Sequence, residues 1–325
     1  MRRSLQMLCA VLLAVALLAH AAGGDEYPAR AIRLVVPYPP GAGTDGTARI
    51  VADALSQRLG QTVFIDNRPG ASGTIGTDLV AKAAADSYTL LWTSTDSMTA
   101  VPALWAKVPY KVPDDFTYIA KVADTGMAVV VAAKLPVHNL AEFIDYAKAH
   151  PDKLSYGTSG VGGMPHLATL LMEKYTGVKM THVPYKGVAP ALTDLLGGQI
   201  DFALLTPITI AQFIGSDKIR ILGITAPTRH PMLPDAPTFA EAGLPQATAT
   251  VWYGLFGPAQ LPAAVQERLR KEIATISEMP AVRDKLAAAG LQMSPQLGSA
   301  FRNACVNEFQ QWKALAKSEN LVVQD

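Results

Sequence analysis

Short apolar runs alternate along this chain with stretches whose apolar residues recur every three or four positions. Ile32 to Val36 is apolar except for Arg33 and stops at Pro37, the profile of a buried strand. Behind it, Thr47 to Leu59 places Ile50, Val51, Ala54, Leu55 and Leu59 on one helical face, and Gly60 ends the helix. Then come a strand at Val63 to Asp66, a helix at Gly76 to Ala85 and a strand at Tyr88 to Thr93. A second block runs the same way. It has a strand at Lys153 to Tyr156, a helix at Pro165 to Tyr175 closed by Gly177, and a strand at Lys179 to Val183. A helix at Ala189 to Leu196, closed by Gly197, and a strand at Ile200 to Leu205 complete it. Ile219 to Thr225 adds a strand, Leu261 to Gly290 is helical, and a last helix is predicted near Ser299 to Ser318.

Alternation of this kind implies parallel sheets covered by helices. The two blocks, Ile32 to Thr93 and Leu154 to Leu205, imply two lobes. Phe116 to Val131 is long enough to cross between them, and Ile221 to Thr225 is the expected return. The pattern therefore predicts a hinged α/β clamshell with two lobes joined by two crossing strands. Each lobe would hold a mostly parallel sheet flanked by helices. The first lobe is drawn from residues 25–123 and 226–325, the second from 124–225. Ligands of open α/β sheets sit beyond the carboxyl ends of the strands, so both lobes would point their loops into one cleft.

The N-terminus changes the setting. Arg2 and Arg3, an apolar run from Leu8 to Ala19, and the small-x-small pattern Ala19, His20, Ala21 read as a signal peptide over residues 1–22, cleaved near Ala21 or Ala22. The run is too short for a stable membrane span. Losing Arg2 and Arg3 takes the basic count from 28 to 26 against 27 acidic residues, a net of −1. Such a balance offers no electrostatic footprint for nucleic acid. Cys9 leaves with the signal, so Cys305 is the one remaining thiol and no internal disulfide is expected. The expectation is a soluble, exported periplasmic monomer.

Gly41, Gly43 and Gly46 match the dinucleotide fingerprint, with Asp66 where a ribose-binding carboxylate would stand. However, Pro37, Pro39 and Pro40 lie between the strand and the first glycine. They fix φ and remove backbone donors, so the loop is too long and stiff for that turn. No nucleotide, and no other cofactor, is expected. Three loops that follow strands point instead to an anion: Tyr38 to Asp45, Thr93 to Thr95, and Gly157 to Gly163 ahead of Pro165. Glycines admit close backbone approach, and helix N-termini add unpaired donors and about half a positive charge.

At these residues the chain resembles the solute receptors of tripartite tricarboxylate transporters, the Bug-type periplasmic receptors. The resemblance covers nearly the whole mature chain. It is carried by Tyr38–Gly41 with Thr44 and Asp45, by Asn67–Ala71, and by Tyr156–Gly160 with Pro165–Ala168. His182–Gly187, Leu195–Asp201, Pro237–Gly243 and Trp252–Leu255 complete it in order. It implies a binding protein that closes on a small organic carboxylate and delivers it to integral membrane permease subunits. Gly41-Ala42 in place of a glycine pair, Val161 in place of a polar residue and apolar Ala203–Leu205 depart from the pattern. They imply a more apolar pocket, favouring a hydrophobic or aromatic carboxylate over citrate.

The expected ligand-binding set is Tyr38, Gly41, Gly43, Thr44, Asp45, Ser94, Thr95, Thr158, Ser159, Gly162, Gly163, His166, Tyr185 and Thr206. Against several of these stands a plainer role. Asp45 in a first helical turn complements the helix dipole, Ser94 and Thr95 fit helix capping, and a first-turn His166 suits packing. Trp252 reads as core or hinge, Arg68 ties down its own loop, and Lys186 reads as solvated. No enzyme is expected. Gly157–Val161 fails G-x-S-x-G at its last position, no H-E-x-x-H occurs, and the six histidines lack metal spacing. A receptor signalling to a membrane sensor, and more remotely an exported carboxylate-acting enzyme, are the competing readings.

Overall fold

The computed structural model describes residues 27–41, 43–185, 187–318 and 321. The expected signal peptide, Ala42 and Lys186 lie outside the described residues. Among those described, no helix is long and apolar enough to cross a membrane.

The first block folds as read. β1 (Ile32–Val36) lies parallel to β2 (Val63–Asn67) and to β3 (Thr89–Ser94), with α1 (Gly43–Leu59) and α2 (Thr74–Ala81) between them. The helix α1 starts at Gly43, before its apolar periodicity begins at Thr47. Thr44, Asp45 and Thr47 of its first turns are buried and hydrogen-bonded locally, which hydropathy does not register. The Thr47 hydroxyl in turn accepts from the indole N–H of the fully buried Trp92 at 3.0 Å. Beyond β3 comes a five-residue π turn, Asp96–Ala100, running into α3 (Val101–Leu104).

β4 (Phe116–Gly126) and β5 (Ala128–Ala132) form one extended stretch broken only at Met127, and they belong to different sheets. After α4 (Leu140–Ala149), the second block supplies β6 (Ser155–Thr158), α5 (Met164–Thr176), β7 (Thr181–Pro184), α6 (Val188–Leu196) and β8 (Phe202–Leu205). β9 (Ile219–Ile224) then pairs antiparallel with β5. It stays in the second sheet, and Thr238 pairs back onto Ile224. The return crossing expected at Ile221–Thr225 is therefore made later, at Ala249, where β10 (Thr250–Pro258) enters the first sheet. Pro280 divides the long C-terminal helical stretch into α7 (Ala263–Glu278) and α8 (Pro280–Ala288), since proline is tolerated in a first helical turn but not inside. β11 (Gln292–Leu297) and α9 (Gly298–Ser318) complete the chain.

The strand orders are β11-β4-β10-β3-β1-β2 and β7-β6-β8-β5-β9. Both sheets are mixed: the βαβ strands and the strands that leave each lobe, β4 and β9, share one direction, and the strands that enter a lobe, β5 and β10, run against them, as does β11. The result is a two-lobed α/β fold. One apolar core threads both lobes, joining Leu34, Trp92 and Leu255 to Val129, Phe143, Leu167 and Phe202.

The crossing is a small hydrogen-bonded ribbon. The Thr225 amide donates to the Met127 carbonyl and the Met127 amide donates to the Thr225 hydroxyl, both at 2.9 Å. That hydroxyl donates to the Ala249 carbonyl at 2.5 Å, and the Ala249 amide returns to the Thr225 carbonyl. Gly126 sits against this ribbon so tightly that a Cβ there would lie 2.6 Å from both Ala226 Cβ and Ala226 N.

Candidate functional site

The seam between the lobes is built from the carboxyl ends of β1, β3 and β6. The loop after β1 carries Tyr38 and is braced by Asp45. The Asp45 carboxylate accepts from the Gly41 amide, from Asn67 Nδ2 and from Arg49. Burial alone would raise this carboxyl, but those partners hold it below its ordinary value. The Asp45 side chain and the Gly41 N–H are thus committed to the loop, while the start of α1 at Gly43 faces the Tyr253 hydroxyl. A Cβ on Gly43 would lie 3.4 Å from that oxygen.

The turn Asn67–Gly73 closes over Tyr38. Gly70, Ala71, Ser72 and Gly73 all hold positive φ, at 135°, 46°, 53° and 89°. Two of the four are not glycine, so strain is concentrated here. It brings Gly73 against Tyr38, with a Cβ position 3.0 Å from the phenol oxygen. Tyr38 Oη accepts from the Ser94 hydroxyl at 3.4 Å.

From the second lobe comes the loop after β6. Gly160 and Gly162 have φ of 138° and 85°, conformations that favour glycine. The Gly162 amide donates to His166 Nδ1 at 3.2 Å, which leaves the imidazole proton on Nε2. His166 is stacked on His182 at 4.0 Å, and His182 on Tyr156 at 5.0 Å. Burial and the neighbouring ring push His166 down to about 3, and burial pushes His182 down to about 4. Both rings are therefore neutral at pH 7. Thr158 Oγ1 shares a 2.7 Å hydrogen bond with His182 Nε2 and donates to the Gly160 carbonyl.

The lobes meet at Asp96, on the first residue of the π turn after β3. Its Oδ1 accepts from the Met164 amide, in the first turn of α5, at 2.9 Å. Oδ2 faces Gly163, where a Cβ would lie 3.7 Å from it and from Ser159 Oγ. On the other side of Gly162 stands Trp105, whose buried Nε1 has no partner among the described residues and lies 3.1 Å from a Gly162 Cβ position.

The structure thus gathers Tyr38, Gly43, Ser94, Ser159, Gly162 and Gly163 at one seam. It assigns other expected residues to internal bonds. Thr44 is buried and its carbonyl accepts from Thr47. Thr95 Oγ1 accepts from the Trp252 amide. Tyr185 donates its hydroxyl to Asp194 at 2.7 Å, and the Thr206 hydroxyl pairs with Thr209. Ala203–Leu205, read as pocket wall, pack inside the two cores as strand residues. Asp96, Trp105, Tyr253 and Gly73 escaped the sequence reading. The available signal for Asp96 was an acidic residue two positions beyond the end of a strand.

Two surface hollows, one beside Lys134 and Gly198 and one beside Phe213 and Met232, lie at the far end of β5 and β9 from the crossing. Among the described residues no group of His, Cys, Asp or Glu is arranged to hold a metal.

The π turn is anchored from behind by Glu308 of α9, whose Oε2 accepts from Thr99 Oγ1 at 2.9 Å and from Trp252 Nε1 at 2.8 Å. Burial pushes this carboxyl up to about 7, against the pull of those two bonds and of Lys121. An acid raised in the folded state stabilises below its unfolded value and loses that contribution as pH rises towards 7. The two stacked histidines slope the other way below about 6.5, because unfolding lets them protonate. Comparison with Glu308→Gln, which keeps the acceptor, isolates the carboxyl. The variant should gain about 2 kcal/mol over the parent between pH 5 and pH 8 in urea titrations. A pH-independent difference would refute the burial account.

Residues 47–321 match the family described as tripartite tricarboxylate transporter family receptor. The chain is 34% identical over 308 residues to Protein BugT of Bordetella pertussis, covering 94% of each. It is similar to the solved structure of the periplasmic binding protein BugD, with a TM-score of 0.81 and 31% identity over 92% of this chain and all of that one. It is similar also to an R. palustris protein solved with adipate, with a TM-score of 0.84 and 32% identity over 91% of this chain and 99% of that one.

Proposed function

Because this chain belongs to the tripartite tricarboxylate transporter receptor family, we propose that it is an exported solute receptor. It captures a small organic carboxylate between its lobes and delivers it to the integral membrane permease subunits of such a transporter. It acts in the periplasm as a monomer, after cleavage near Ala21 or Ala22, and carries out no chemistry on its ligand. The observation that carries this reading is the seam itself. Each lobe brings the start of a long helix to it, α1 at Gly43 and α5 at Met164, with glycines that let a ligand reach the backbone. Helix N-termini favour anions through unpaired N–H groups and the aligned dipole. The adipate-bound relative supports a carboxylate as the ligand class.

Closure follows by population shift. A ligand touching both lobes binds the closed state better than the open one and favours it by that difference. The test is a melting screen of the mature protein against mono-, di- and tricarboxylates, amino acids and aromatic acids. A ligand at about 100 times its Kd adds about 2.7 kcal/mol to stability, a visible upward shift. If no carboxylate moves the transition while a neutral solute or a nucleotide does, the reading fails.

A further inference from the structure

Among the described residues, the one carboxylate that reaches across the seam is Asp96. Asp96 stands on the first lobe and takes the Met164 N–H, a donor in the first turn of α5 that a ligand anion would otherwise find. Its second oxygen, Oδ2, faces Gly163, and among the described residues nothing donates to it. No described lysine or arginine pairs with Asp96 either. The groups that feel its charge are the hydroxyls of Tyr38 and Tyr253, held protonated by burial, and the Glu308 carboxyl, which burial itself pushes up to about 7. Just beyond Gly162 waits the opposite feature, the buried Trp105 Nε1–H with no acceptor.

We infer that Asp96 sets the solute's chemical class: the receptor selects a carboxylate that also carries an ammonium group, seated on Asp96 Oδ2. This rests on the solute-receptor reading and narrows it. An unpaired acceptor and an unpaired donor on either side of one glycine pair complement a zwitterion, not a dianion. A simple dicarboxylate would bring a second negative charge to a half-buried one with no cation between them, and like charges at short range in a poorly solvated site repel strongly. An ammonium does the reverse. Burial pushes the Asp96 carboxyl up and the Met164 amide pulls it down; a cation on Oδ2 compensates the desolvated charge. Asp96 also joins the lobes, so the ammonium meets it fully only when the seam is closed, which makes the contact one of differential affinity.

Calorimetric titration of matched pairs tests this. Suitable pairs are butanoate and 4-aminobutanoate, glutarate and glutamate, and 4-methylbenzoate and 4-(aminomethyl)benzoate. The parent protein should bind the ammonium-bearing member of at least one pair about 10-fold or more tightly than its partner, a difference of one decade in Kd. Asp96→Asn keeps an oxygen for the Met164 amide and removes the charge. It should bring that preference to within about 2-fold, chiefly by weakening the ammonium-bearing member. Equal or tighter binding of the ammonium-free member by the parent protein overturns the inference while leaving the receptor reading intact. So does undiminished preference in Asp96→Asn. Silence from both members of every pair overturns this inference too, and the carboxylate reading then stands or falls by the melting screen. The parent comparison stands alone should the variant fold poorly.

Discussion

Gly162→Val raises the Kd for the bound carboxylate about 30- to 100-fold and leaves a folded protein. Two effects separate cleanly here. Gly162 holds φ at 85°, so valine strains the loop in the open and closed forms alike. That lowers stability by about 1–2 kcal/mol without touching affinity. The second effect belongs to closure. A Cβ at this position lies 3.1 Å from Trp105 Nε1 and 3.5 Å from its Cδ1, and Trp105 sits on the other lobe. The added methyls of valine meet the indole only when the seam shuts. A closed-state penalty of about 2–3 kcal/mol converts to the stated loss at about 1.4 kcal/mol per decade. Calorimetry of the variant against the best ligand from the melting screen gives the Kd, and its unliganded melting curve reports the loop strain. An unchanged Kd would remove this loop from the site.

Gly126→Ala destabilises by about 3 kcal/mol or more, the upper end of what overpacking a single methyl costs. The sign is informative. Gly126 does not hold positive φ, and at an unstrained, roomy position glycine to alanine stabilises by about 0.4–1 kcal/mol through the unfolded chain. Here the new methyl would lie 2.6 Å from the backbone nitrogen of Ala226 and 2.9 Å from Ile224 Cγ1. Neither neighbour is the free end of a long side chain. The strands must part at the point where Met127, Thr225 and Ala249 are stitched together. A urea titration with lowered midpoint and unchanged slope is the expected outcome. A raised midpoint would mean that the crossing is looser than it stands.

Much of the framework was legible because its strands are buried on both faces and read as near-continuous apolar runs. Ile32–Val36 and the crossing stretch Phe116–Val131 needed nothing beyond hydropathy. β11 was illegible for the converse reason. Its sequence, Gln-Met-Ser-Pro-Gln-Leu, is polar, and it lies at a sheet edge where Pro295 falls within a register shift against β4; edges and bulges tolerate proline. The site was legible as a set of loops and obscure as a set of side chains. Glycine spacing announced where backbone approaches the seam. It could not announce that Asp45 faces inwards to Asn67, or that His166 spends its polarity on a stack with His182. These are contacts across tens of residues, and local pattern carries no information about them. Asp96 was missed because an acidic residue after a strand fits an ordinary helix start.

The three stitched segments at Met127, Thr225 and Ala249 have one more consequence. Side by side and hydrogen-bonded, they behave as a leaf spring and not as a swivel. Such a ribbon flexes readily about an axis lying across it and resists torsion, because twisting would break the bonds that Thr225 makes to both neighbours. The lobes then travel along a single arc. The register in which Asp96 meets Met164 is inherited from the spring and owes nothing to the guest. On the proposed receptor reading, a badly fitting solute finds no skewed closure to suit it and holds the jaws ajar.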